Sequence, residues 1–66
     1  MKFCVWWKAP DGTRMDVGPC SLANAIDWAL DYQERGTLLY ITNEAGRRLT
    51  LKAVQQLKAA EDAQGA

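Results

Sequence analysis

The strongest constraint on this chain is a turn signal that occurs twice, Pro10-Asp11-Gly12 and Asn43-Glu44-Ala45-Gly46, each time between short runs rich in strand formers. In the first, proline presets the leading turn position and Asp11 suits the next. Gly12 then supplies the left-handed residue that closes a type I turn with a bulge. In the second, Asn43 opens the turn and Gly46 closes it. Each signal therefore predicts an antiparallel hairpin. If Ala9 pairs with Thr13, Trp7 faces Met15 and Val5 faces Val17. If Asn43 pairs with Arg47, Ile41 meets Leu49 and Leu39 meets Leu51. Sliding the first hairpin onto the second lands Gly12 on Gly46 and Arg14 on Arg48, so the chain reads as two ββα units in pattern, with too few identities to claim a duplication.

Each hairpin is followed by a helical pattern. Ser21 is a good N-cap. Beyond it Leu22, Ala25, Ile26, Ala29 and Leu30 fall on one stripe at about 100° per residue, with Trp28 and Tyr32 on its flank and Gly36 as the stop. The last segment, residues 52–62, is a weaker helix anchored by Val54 and Leu57. Thr50 and Leu51 could belong to the strand or to this helix. The expected fold is α+β, ββαββα: a four-stranded antiparallel sheet with its helices packed on one face. Residues 1–62 form one domain and residues 63–66 a frayed tail. The core side takes Val5, Trp7, Met15, Val17, Leu39, Ile41 and Leu49, and the strand order is open.

Length and charge then limit function. A chain of 66 residues has room for one small core. Its 8 basic and 8 acidic residues cancel, so it has no overall attraction for nucleic acid or an anionic membrane. Without histidine no Ser/His or Cys/His device is available. The glycines stand singly, which rules out a Gly-rich phosphate loop. Asp27, Asp31 and Glu34 read as a solvated helix face. Cys4 and Cys20 are too few for a zinc site or a disulfide framework and read as free thiols. In the predicted register Cys4 lies near Gly18, so Cys20 could reach it under oxidation. The expectation is a non-enzyme with no catalytic residues, no metal and no cofactor. The apolar run at Phe3-Cys4-Val5-Trp6-Trp7 is too short for a signal peptide or a membrane span, which points to the cytosol and to no membrane partner.

The informative feature is the second face of the sheet. It would display Trp6, Lys8, Arg14, Tyr40 and Arg48, with Thr42, Cys4 and Leu38 beside them. A two-layer domain has no further layer to cover that face. Aromatic rings with adjacent cations are the usual anchors of a protein interface. The leading expectation is a small protein-interaction module, self-associating as a homodimer through this face or through an edge strand. The alternative is single-stranded nucleic-acid binding on the same face, with bases stacked on the rings and phosphates met by Lys8, Arg14, Arg47 and Arg48. A third reading has Trp6 and Tyr40 simply packing across strands under the stems of the cations. The aromatic RNP pattern of RNA-recognition domains and the GXXG loop of KH domains are both absent, so no family is assigned and no residue is carried over.

Overall fold

The computed structural model describes residues 2–65. Its elements are β1 (Phe3–Lys8), β2 (Arg14–Cys20), α1 (Leu22–Glu34), β3 (Leu38–Asn43), β4 (Arg48–Leu49) and α2 (Leu51–Gly65). The strands form one antiparallel sheet in the order β2-β1-β3-β4. The two hairpins thus join through their first strands, and β2 and β4 are the edges. Because β1 and β3 run antiparallel, the hairpin turns lie at opposite ends of the sheet. Lys8 faces Arg14 beside the first turn, and Phe3 faces Asn43 beside the second.

Local chemistry explains the boundaries. The Ala9 N–H donates to the Thr13 carbonyl at 2.8 Å, and the Gly12 N–H donates to the Ala9 carbonyl at 2.9 Å. The Asp11 carboxylate accepts the Thr13 N–H at 2.9 Å, and this bond holds its pKa below the ordinary carboxylate value. Asn43 organises the second turn, its side-chain oxygen accepting the N–H groups of Ala45 and Arg47, each at 3.0 Å. Ser21 Oγ accepts the Asn24 N–H at 3.2 Å and caps α1. Thr50 Oγ1 does the same for α2 by accepting the Ala53 N–H at 3.1 Å. Leu51 is therefore the first helical residue rather than a strand partner of Leu39.

The buried core is Phe3, Val5, Leu22, Ala25, Ala29, Tyr32, Ile41 and Val54, with Trp7, Val17, Leu38 and Leu49 packed around it. Several expectations are corrected here. The pairing of β1 with β3 is Trp6 with Tyr40 and then Trp7 with Leu38, so β3 carries an extra residue between those rows. Since strand side chains alternate, this bulge reverses the facing of what precedes it. Leu38 packs on the core and Leu39 is 39% exposed. Met15 is on the helix side but 46% exposed, because α1 lies mainly over β1 and β3 and covers the β2 edge thinly.

Helix α1 is also turned relative to the predicted stripe. Tyr32 is buried and Leu30 is 45% exposed. The rings of Trp7 and Tyr32 stack with centroids 4.8 Å apart and planes 7° apart, and Trp28 continues the stack from Tyr32 at 5.9 Å. Aromatic contact area of this kind outweighs one leucine in setting the helix rotation. Among the described residues of α2 only Val54 is fully buried, and Leu57, expected as an anchor, is 40% exposed. Residues 63–65 of the expected frayed tail continue the helix, and Ala66 lies outside the described residues.

The cysteines are separated by the sheet itself. Cys4 sits across from Thr42 on the helix-free face, whereas Cys20 packs against the core, its thiol donating to the Phe3 carbonyl at 3.4 Å. Both thiols are free, and their side chains lie on opposite faces of the sheet, an arrangement that opposes the bond that oxidation could form between them. Burial, and then the neighbouring Cys4, push the Cys20 thiol above its ordinary pKa. Mild oxidation of the dilute protein should therefore leave both thiols free, with Cys20 alkylating slowly at neutral pH. An intramolecular disulfide detected by mass spectrometry would contradict this placement.

Candidate interaction surface

The helix-free face is built by the alternate residues of β1 and β2 together with Tyr40, Thr42 and Arg48. Trp6 and Tyr40 are directly cross-strand, their ring centroids 5.9 Å apart and their planes inclined by 26°. The Trp6 indole N–H donates to Thr42 Oγ1 at 3.1 Å. The Arg48 guanidinium carbon lies 4.4 Å from the Tyr40 ring centroid, a cation–π contact. Tyr40, on the strand between the two, thus has Trp6 on its β1 side and Arg48 on its β4 side. Both rings are half-buried by their neighbours.

Of the five residues predicted for this face, Trp6, Tyr40 and Arg48 are in contact. Lys8 and Arg14 form a separate pair, facing each other across β1 and β2 beside the first turn. Four residues of strand, about 13 Å, separate the Lys8 row from the Cys4 row that leads through Thr42 to Arg48. The basic residues expected to cluster around the hairpins are therefore divided between opposite ends of the sheet.

Of the two edge strands, β2 is the longer. The opposite edge, β4, is only two residues long. β2 has seven residues, and its backbone polarity can be assigned. Ala9 and Thr13 form a hydrogen-bonded pair, and such pairs alternate along an antiparallel ladder. Trp7 with Met15 and Val5 with Val17 are hydrogen-bonded pairs, while Lys8 with Arg14 and Trp6 with Asp16 are not. The Lys8 N–H accordingly donates away from β2, to the Thr37 carbonyl at 2.9 Å. It follows that the N–H and C=O groups of Arg14 and Asp16 point outward from the sheet edge. Their side chains form no ion pair among the described residues. Asp16 and Met15 lie outside the five residues expected to carry the face: strand alternation puts Asp16 beside Arg14 on it, and Met15 is expected in the core. The alternation Arg14-Met15-Asp16 puts opposite charges on one face and an apolar side chain on the other.

Among the described residues, no group of three His, Cys, Asp or Glu side chains is placed to hold a metal ion, and no helix is long and apolar enough to cross a membrane. A hollow of about 200 Å³ is lined by Lys2, Phe3, Asn43, Glu44 and Ala45. Its one carboxylate, Glu44, accepts the Lys2 backbone N–H at 2.7 Å. No family model, curated protein or solved structure matches this chain.

Proposed function

We propose that this protein is a small non-catalytic interaction module that self-associates by pairing the β2 edge with a strand of a second copy. The observation that carries the reading is the outward-facing backbone of Arg14 and Asp16 on a seven-residue edge strand. Such groups are a ready template for strand addition. The half-exposed Met15 beside them adds apolar area that a neighbouring strand would cover. A five-residue strand contact is small by the standard of stable interfaces, so the association is weak and depends on concentration.

Nucleic-acid binding on the helix-free face has less support. A stacking platform needs a free ring face, and Tyr40 is flanked by Trp6 and Arg48. A phosphate track needs adjacent cations, and these are split between the two ends of the sheet.

The test is Asp16→Pro. Proline there removes an outward N–H and no ladder bond, so the β1–β2 pairing is retained. The variant should keep a folded amide spectrum and lose self-association by about tenfold or more in sedimentation equilibrium. Wild-type protein that stays monomeric to millimolar concentration would sink the reading. So would a folded Asp16→Pro that associates as wild type does. Salt-sensitive shifts at Trp6, Tyr40 and Arg48 on adding single-stranded oligonucleotide would put the nucleic-acid reading first.

A further inference from the structure

Resting on the self-association reading, we infer that the partner strand is β2 of a second copy in one particular register, with Met15 on the two-fold axis and Arg14 of each copy opposite Asp16 of the other. The register follows from three constraints on the same five residues.

The first is hydrogen-bonding parity. Two antiparallel copies of β2 can exchange backbone bonds only where outward groups oppose outward groups, so Arg14 and Asp16 must oppose even-numbered residues. The neighbouring allowed registers put Arg14 opposite Arg14 or Asp16 opposite Asp16. Like charges directly across strands repel, and opposite charges attract. Only the register centred on Met15 pairs each Arg14 with an Asp16, and the symmetry repeats that pair. Each pair exchanges both of its N–H···O bonds across the new boundary.

The second is local charge. Within its own chain Arg14 stands opposite Lys8, a like charge, and Asp16 stands opposite Trp6, which carries none. Neither has an ion-pair partner among the described residues. The second copy supplies the missing opposite charge to both at once, on the same face of the sheet. There the row Tyr40, Trp6, Asp16 would continue into Arg14 of the other copy.

The third is the apolar side. Met15 is 46% exposed on the helix face. On the two-fold axis it meets its own symmetry mate as a non-hydrogen-bonded pair, the closer kind, with Cα atoms about 4.5 Å apart. The first turn bounds the contact at one end. At the other, Gly18 starts the bulge, and Pro19 has no N–H to offer. The paired segment is residues 13–17, and the product is one continuous sheet built from the two four-stranded ones.

The experiment is a charge exchange read by sedimentation equilibrium, with a cross-link as an independent readout. R14D alone and D16R alone each place like charges at both pairs. Each should weaken the homodimer by roughly tenfold or more. The double variant R14D/D16R restores opposite charges and should recover wild-type affinity. An equimolar mixture of the two single variants should form a heterodimer, because each supplies what the other lacks. Met15→Cys brings two thiols within disulfide reach on the axis. Oxidised at concentrations where the wild type associates, it should give a covalent dimer whose linkage maps to position 15 on both chains.

If wild type associates but the single variants do not weaken it, or the mixture does not pair, the register is wrong while self-association stands. A Met15→Cys cross-link that maps elsewhere overturns the register in the same way. If wild type does not associate at all, the underlying reading fails with it.

Discussion

Truncating Phe3 to alanine should cost about 3–5 kcal/mol and leave much of the protein unfolded in water. Phe3 is 2% exposed and among the largest fully buried side chains of the core. It occupies the end of β1 where that strand meets both neighbours, opposite Cys20 on β2 and Asn43 on β3. Its ring fills space that no flexible group can re-enter, since the rest of the core is Val5, Leu22, Ala25, Ala29, Tyr32, Ile41 and Val54. A domain of 66 residues has a total stability of roughly 3–10 kcal/mol. The loss is thus comparable with the whole. Urea unfolding followed by Trp fluorescence measures it, and Phe3→Leu provides the control, at a cost of about 1.5 kcal/mol or less. Trp7→Ala should cost less than Phe3→Ala, because Trp7 is only part-buried and Tyr32 keeps Trp28 as a stacking partner. A Phe3→Ala protein with the wild-type midpoint would mean that the β1 end is not part of the core.

The element order and the turn chemistry could be read from the residues because they depend on local rules. Proline and glycine at Pro10 and Gly12, and asparagine and glycine at Asn43 and Gly46, restrict backbone torsions wherever they stand. The pairings of Trp7 with Met15, Val5 with Val17 and Ile41 with Leu49 followed directly from them, and each is present in the sheet. What could not be read were events that shift parity by one. Leu38-Leu39 offers two equivalent side chains, and only the β3 bulge decides which enters the core. Likewise Leu30 and Tyr32 both lie near the predicted stripe of α1. The choice between them depends on Trp7, a residue far away in sequence whose ring needs a partner. Strand order had no local signal, yet it determines the candidate surface. With β1 and β3 in the centre, Trp6 and Tyr40 become neighbours, Lys8 and Arg14 are separated from Arg48, and β2 is left as the long edge.

Replacing Gly18 by alanine should destabilise the protein by about 3 kcal/mol or more, well above the cost of the same change at Gly12. Both glycines have positive φ, +90° at Gly12 and +128° at Gly18, so both alanine variants carry backbone strain. They differ in what a methyl group would meet. At Gly12 the nearest atom is the Lys8 side-chain Cε at 3.9 Å, an ordinary contact with a mobile chain end. Gly12→Ala should therefore cost only its conformational term, about 1–2 kcal/mol. At Gly18 the methyl carbon would sit 2.6 Å from the Phe3 carbonyl oxygen and 3.2 Å from the Cys4 Cα, both of them backbone atoms of β1. No rotamer change relieves that overlap, so β1 and β2 must separate at the bulge. The bulge is what brings Cys20 rather than Pro19 opposite Phe3, with its thiol on the Phe3 carbonyl and its side chain against the core. Pushing the strands apart there withdraws support from the same Phe3 end of the core. Urea midpoints of the two variants decide the matter, together with the loss of amide protection at Cys20 in Gly18→Ala. Equal destabilisation at Gly12 and Gly18 would mean that φ alone sets the cost and that the strands do not approach each other as closely at the bulge as the geometry requires.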